Sequence, residues 1–332
     1  MDFIEKFKEI AREGEPAKII FPEGEDERII RAAAEITKEK IAQLILLGDE
    51  GRIKGIAEKL GINFSGIKII NPERAEEKTR YAEIYSRSRN IPMAVAEKIF
   101  LNPLFFGAMA VKSGDVDGMI AGAVSTSREV ISVAREIIGL KPGISVPSSF
   151  FLMIIPGFVG SEEGKLIFAD ASVNPDPTAE ELADIAIATA ETAKNIFDWE
   201  PRVALLSFST KGSAKHPLVE KVERAGEIIQ EKEPGLMIDA ELQADAALIP
   251  GVARKKMKDP GLVAGRANVL IFPDLNAGNI SYKLVSILAG VQALGPILQG
   301  FNKPVSDLSR GAKTEEIVKI AVLLAVEIKK QK

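Results

Sequence analysis

Cysteine is absent from the 332-residue chain. That removes disulfides, thiolate-bound zinc, iron–sulfur clusters and a cysteine nucleophile. Histidine occurs once, as His216, so a three-histidine metal site is impossible and a Ser-His-Asp triad would have to use that residue. Its surroundings, Lys-His-Pro, offer no companion motif, and His216 reads as a loop residue or a neighbour of a helix start. The chain also lacks GxGxxG, Walker A, HExxH and GxSxG patterns. The stretch GSEEGKL (160–166) misses the phosphate-loop spacing and has no Ser or Thr after its lysine. No metal site is expected. Basic excess is missing too: net charge is −4 and no basic run exceeds the three residues Arg254-Lys255-Lys256, which gives no reason to expect nucleic acid.

Two uncharged stretches invite a membrane reading and do not sustain it. Residues 142–161 (PGISVPSSFFLMIIPGFVGS) hold three prolines and three glycines, which suit strands and turns better than a spanning helix. Residues 284–302 are interrupted at Gly295-Pro296. The start, MDFIEKFKEIAREGE, is a charged amphipathic helix without the apolar core of a signal peptide. A cytoplasmic location, with no membrane partner, is the expectation.

What is present is alternation. Short apolar runs of β character, KIIFP (18–22), AQLILLG (42–48), GIKIINP (66–72) and DGMIAGAV (117–124), each precede a helical pattern. This order predicts α/β architecture with parallel strands and helices on both faces. In the middle, SVPSSFFLMIIP (145–156) and KLIFADASV (165–173) flank a turn-rich segment and read as an antiparallel hairpin. Alternation then resumes: a helix over 177–196, a strand over 202–209, a helix over 217–231, strands over 236–242 and 268–274, a helix over 278–290 and a last helix near 314–330. Pro/Gly punctuation near 141–147 and 295–304 predicts a discontinuous first domain, 1–144 plus 299–332, with 145–298 inserted as a second α/β domain.

Ligands of open α/β sheets sit beyond the carboxyl ends of strands, so the polar loops there carry the candidate chemistry. SFSTKGSAKHP (207–217) offers backbone N–H groups and hydroxyls as a phosphate cradle, or is an ordinary polar loop. GAVSTSRE (122–129) has the same two readings: Ser125, Thr126 and Ser127 bind an anion at a helix N-terminus, or Ser127 is an N-cap. In PVSDLSRGAKTEEIV (304–318), Arg310 is a fixed charge with a planar fork of donors suited to phosphate, and Ser309 puts a hydroxyl beside it. Thr314 reads as an N-cap, which sets Glu315 and Glu316 in the first helical turn, where carboxylates suit the dipole.

The blocks FPEGEDERI, GMIAGAV, SSFFLM, ADxxVNPDPTAEELADIAI, DAELQADAAL, VLIFPDLNAGNISYK and GPILQGFNKPVSDLSRG resemble those of the phosphate acetyltransferase (phosphotransacetylase) family, within the phosphate acetyl/butyryltransferase group. The resemblance implies two three-layer α/β domains like those of isocitrate and isopropylmalate dehydrogenases, an interdomain active cleft and a homodimer. It implies interconversion of acetyl phosphate plus coenzyme A with acetyl-CoA plus inorganic phosphate, with coenzyme A a substrate and no tightly bound cofactor. It makes Arg310 the phosphoryl ligand, Ser309 a partner of the thiol or oxyanion, and Glu316, where the family usually has Asp, the acceptor of the thiol proton. Arg87 falls where an arginine serves coenzyme A; Asn279 and Lys283 are assigned to substrate binding. Two departures stand out. Ser132 and Ile287 occupy positions where the family commonly has arginine, so coenzyme A is held by substitutes such as Arg89, Arg128 or Arg135, or a longer acyl group such as butyryl is preferred, or the chain is a non-catalytic acyl-CoA-sensing or regulatory relative. With no cysteine for an acyl-enzyme, direct thiolate attack in a ternary complex is the expected route.

Overall fold

The structure is a computed structural model that describes residues 3–158 and 160–331. The chain forms two compact units. One runs to Gly139 and resumes at Phe301; the other is Leu140–Gly300.

The first unit follows the predicted alternation. Its elements are α1 (Phe3–Arg12), β1 (Ala17–Phe21), α2 (Glu27–Lys38), β2 (Ala42–Leu47), α3 (Glu50–Lys59), β3 (Lys68–Ile70), α4 (Glu77–Arg89), α5 (Met93–Ile99), α6 (Pro103–Lys112), β4 (Gly118–Ala121) and α7 (Ser127–Ile137). In the second unit lie β5 (Ser148–Ile154), β6 (Lys165–Ala169), α8 (Ala179–Phe197), β7 (Arg202–Leu206), α9 (Pro217–Lys232), β8 (Met237–Leu242), α10 (Ala244–Leu248), α11 (Pro250–Lys256), β9 (Val269–Ile271), α12 (Leu275–Ala289) and β10 (Gln292–Gln299). The chain then re-enters the first unit for β11 (Val305–Asp307) and α13 (Thr314–Gln331).

The first unit's strands run in the order β3-β2-β1-β4-β11, all parallel. Side chains alternate between faces along a strand, and β4 shows what each face packs against. A Cβ on Gly118 would sit 3.0 Å from Ile328 and 3.2 Å from Leu324 of α13, whereas the Met119 sulfur lies 3.2 Å from the corresponding point on Gly107 of α6. Helices therefore cover both faces, and the glycines let them approach closely. The helical pattern expected after GIKIINP is broken: Asn90 adopts a left-handed conformation (φ 52°) and ends α4, and Pro92 precedes α5.

In the second unit the order is β10-β5-β6-β9-β7-β8. The predicted hairpin is present, with β5 antiparallel to β6, while β6, β9, β7 and β8 are parallel. Alternation again divides the faces. Ser148 meets Gln299 and Phe150 meets Phe197 of α8, whereas Phe151 stacks on Tyr282 of α12 with ring centroids 4.0 Å apart. The strand β10, antiparallel to β5, is absent from the sequence expectation, as is β11. The α/β class, with helices on both faces of the strands in each unit, is what the structure shows.

Candidate active site

The first unit gathers its polar loops where β1, β4 and β11 end. Asp307, the last residue of β11, pairs in register with Ala121, the last of β4. The Leu308 N–H then donates to the Ala121 carbonyl at 2.7 Å. The two following loops, 122–126 and 308–313, therefore leave adjacent strands side by side. Gly122 is required between them: its φ is +109°, and a Cβ there would lie 2.6 Å from the Leu308 carbonyl oxygen and closer still to the Asp307 carboxylate.

Loop 122–126 does not keep its backbone donors for a ligand. Glu23, just after β1, accepts from the N–H groups of Gly122 (2.9 Å) and Ala123 (2.6 Å) on one oxygen and of Val124 (3.0 Å) and Ser125 (2.6 Å) on the other. A carboxylate of the chain itself fills the anion nest that the sequence suggested for phosphate. The N-cap of α7 is Thr126, not Ser127. Thr126 and Glu129 form a reciprocal capping box, and those hydrogen bonds hold the Glu129 carboxyl below its ordinary pKa, with a smaller contribution from nearby Arg310. Ser125 and Ser127 remain half-buried at the helix start.

Loop 308–313 is different. Ser309 and Arg310 are exposed. Among the described residues the Arg310 guanidinium has no ion pair and no hydrogen bond, although its backbone carbonyl is held by Arg28 at 2.6 Å. Ser309 Oγ accepts from the Gly311 N–H at 3.3 Å, which leaves the hydroxyl hydrogen to donate. Glu316 is exposed in the first turn of α13. Its Oε2 accepts from the Lys313 N–H at 2.9 Å, so Thr314 is the first helical residue and Glu316 caps the turn from within. Its other oxygen stays open to solvent or a ligand.

Asp307 stands two residues before Ser309 in sequence, yet it is only 1% exposed, and Oδ1 has no hydrogen-bond partner. Burial pushes its pKa from 3.8 up to about 6; Ser127 and the Leu308 N–H act the other way, and Glu23 adds repulsion. The folded protein thus holds this proton more tightly than the unfolded chain. Stability from this group is complete below pH 4 and is lost as pH rises through about 6, at a cost of about 3 kcal/mol for the ionised form. Asp307→Asn, neutral throughout, should gain on the wild type by that amount between pH 4 and 7 in urea denaturation. A difference constant across this window would contradict the assignment.

Arg87 lies on α4, highly exposed, 3.7 Å from Glu83 in a loose pair one turn away. No described contact joins it to the two loops. Of the residues expected to stand in for the arginines missing at Ser132 and Ile287, Arg89 is already engaged: Nη2 donates to the Glu136 carbonyl at 2.7 Å and the guanidinium lies 5.9 Å from the Tyr85 ring centroid. Asn279 and Lys283 belong to the second unit, on α12. Asn279 donates its amide to the Ala171 carbonyl at 3.0 Å; Lys283 is exposed near the Tyr282 ring.

The other candidate cradle, 207–217, is consumed internally. Ser209 Oγ and Ser213 Oγ lie 3.0 Å apart and accept from the N–H groups of Ala214 and Thr210, while the Gly212 N–H goes to Glu241. His216 is the N-cap of α9, accepting from the Leu218 N–H through Nδ1. No group of three or more His, Asp or Glu side chains suited to a metal occurs among the described residues, and no single helix there is long and apolar enough to cross a membrane.

Sequence reasoning missed Glu23 and Arg28. The density of charge in PEGEDER, immediately after a strand, was the available signal.

An uncommitted guanidinium and a serine on a loop at the end of a parallel strand suit a phosphate group. Comparison with known proteins agrees. The sequence model of the phosphate acetyl/butaryl transferase family matches residues 2–325, and the chain belongs to that family. It is 47% identical over 330 residues to the phosphate acetyltransferase of Clostridium acetobutylicum, with 98% of each chain covered. Among solved structures it is similar to a phosphotransacetylase from Streptococcus pyogenes, with TM-score 0.92, 43% identity and 99% of both chains covered. A likeness to a putative 4-hydroxythreonine-4-phosphate dehydrogenase from Salmonella typhimurium, with TM-score 0.56, 12% identity and coverage of 95% of this chain and 100% of the other, shows the dehydrogenase-like fold alone.

Proposed function

We propose that this chain is a phosphate acetyltransferase, moving an acetyl group reversibly between acetyl phosphate and coenzyme A. The observation that carries the reading is the exposed Arg310 guanidinium, unpaired among the described residues, next to the Ser309 hydroxyl. Its identity with named phosphate acetyltransferases over nearly its whole length supports the same conclusion.

The chemistry follows from these groups. A free thiol has a pKa of about 8.5, so little thiolate exists at neutral pH. A carboxylate is a much weaker base than a thiolate, so proton removal has to accompany attack. The open Glu316 oxygen takes the thiol proton as sulfur bonds to the acyl carbon. Electron density moves onto the carbonyl oxygen, which the Ser309 hydroxyl stabilises. The bond from acyl carbon to phosphate oxygen then breaks, and phosphate departs against Arg310. Ser125, Thr126, Ser127 and Arg87 belong to the substrate-binding set in this reading, as do Asn279 and Lys283.

The active species is a homodimer located in the cytoplasm. The stripe Ile280, Leu284, Ile287 and Leu288 on α12, each more than half exposed, has the spacing of one helix face and supports a covered surface there.

One preparation tests the reading. The purified chain should sediment at twice 35.8 kDa and convert acetyl phosphate plus coenzyme A to a thioester, followed by ultraviolet absorbance. Initial velocities should give intersecting double-reciprocal lines; parallel lines would replace direct attack by an acyl-enzyme. Propionyl and butyryl phosphates in the same assay set the acyl preference. No thioester from any of the three would leave a binding or regulatory protein.

A further inference from the structure

We infer that Arg28 is a positioning residue for the Arg310 loop, an inference that rests on the proposed acyl transfer. A guanidinium has five N–H donors in a rigid plane, and all five of Arg28's are taken. Nε donates to Asp26 Oδ1 at 3.0 Å and Nη2 to Asp26 Oδ2 at 2.8 Å, a bidentate pair. The second Nη2 hydrogen goes to the Ala123 carbonyl at 2.8 Å. Nη1 serves the carbonyls of Arg310 at 2.6 Å and Ala312 at 3.3 Å. No donor is left for a substrate, so Arg28 acts only through the groups it holds.

Those groups come from three separate stretches of chain: the loop after β1, the loop after β4 and the loop after β11. The anchor is itself fixed. Asp26 is the N-cap of α2, accepting from the Arg28 N–H at 2.8 Å. Burial raises the Asp26 pKa, but the hydrogen bonds from Arg28 outweigh it and hold the carboxyl below its ordinary value. The carboxylate side fixes the guanidinium plane, and the opposite edge grips two carbonyls of 308–313. Pinning the Arg310 carbonyl sets the direction from which that side chain leaves the backbone. Catalysis by positioned groups loses about 10–100-fold when placement slips by an ångström. Lysine, with three donors on one nitrogen, cannot span both Asp26 oxygens and three carbonyls.

The test is a double-mutant cycle on the full chain, measuring thioester formation from acetyl phosphate and coenzyme A for the wild type, Arg28→Lys, Arg310→Ala and the double variant. Arg28→Lys should lower kcat about tenfold or more, with KM for coenzyme A within about twofold, because the loss concerns placement of the phosphoryl ligand. In the Arg310→Ala background the same change should cost almost nothing, since the side chain being positioned is gone. Equal fold losses in both backgrounds would show a general structural role and overturn the inference, as would a folded Arg28→Lys protein with wild-type kcat. If Arg28→Lys does not fold by circular dichroism, Asp26→Asn takes its place in the cycle, because it loosens the anchor while leaving the guanidinium charged. An inactive wild type is a separate result, which refutes the acyl-transfer reading itself.

Discussion

Arg310→Ala should lower kcat for thioester formation by about 10²–10³-fold, the range seen when one well-placed donor to developing charge is removed. Departing phosphate gains negative charge as its bond to the acyl carbon breaks. A guanidinium contributes two parallel donors and a charge that never titrates. The fold should survive the change, because the Arg310 side chain has no ion pair among the described residues; it is the backbone carbonyl that Arg28 holds, and alanine retains that carbonyl. Circular dichroism and the urea midpoint should therefore stay near the wild type while turnover collapses. Arg310→Lys keeps the charge but not the fork and should fall between the two. Near-wild-type turnover in Arg310→Ala would remove the phosphoryl ligand from this position.

Much of the molecule was legible in the sequence, for identifiable reasons. The strands β1, β2 and β4 are short apolar runs followed by helical patterns, and periodicity finds these. The β5–β6 hairpin announced itself because two apolar runs flank a segment rich in turn residues. The strand β10 escaped because 284–302 is uncharged and mostly apolar: α12 ends within it at Gly290, in a left-handed conformation at φ 60°, and a mostly apolar run does not say where helix gives way to strand. The strand β11 is three residues long and one of them is Asp307. A carboxylate in a three-residue run reads as loop; only the pairing with β4 makes it strand, and only the burial makes its charge costly.

The site divides in the same way. Ser309 and Arg310 are recognisable because donor-rich side chains stand together just after apolar sequence. Glu23 and Arg28 act on backbone groups far away in the chain; Arg28 and the carbonyl of Arg310 are 282 positions apart. No local pattern encodes a side chain that satisfies a remote carbonyl or amide. The reading of 122–127 as a phosphate cradle shows the converse. Its backbone donors were correctly judged to favour an anion, but the anion is Glu23. What is left for a ligand on that loop is side-chain hydroxyl and the start of α7, so the proposed phosphoryl site rests chiefly on Arg310, which raises the expected cost of removing it.

Glu316 has two functions in this account, and substitution separates them. Its Oε2 accepts from the Lys313 N–H at 2.9 Å and secures the first turn of α13; its other oxygen is the proposed acceptor of the thiol proton. Glu316→Gln keeps an amide oxygen for the Lys313 N–H, so the helix start is preserved, but it cannot accept a proton. Its kcat should fall by about 10²–10⁴-fold, the usual worth of a general base, with the urea midpoint unchanged. Glu316→Ala should lose the same turnover and also the cap, and only this variant should show a lower midpoint. Glu316→Asp restores a carboxylate on a side chain one methylene shorter and should recover most of the rate lost by the glutamine variant. If turnover instead follows the midpoint across the three variants, with Glu316→Gln close to wild type, Glu316 is a capping residue alone and the thiol proton leaves by another route.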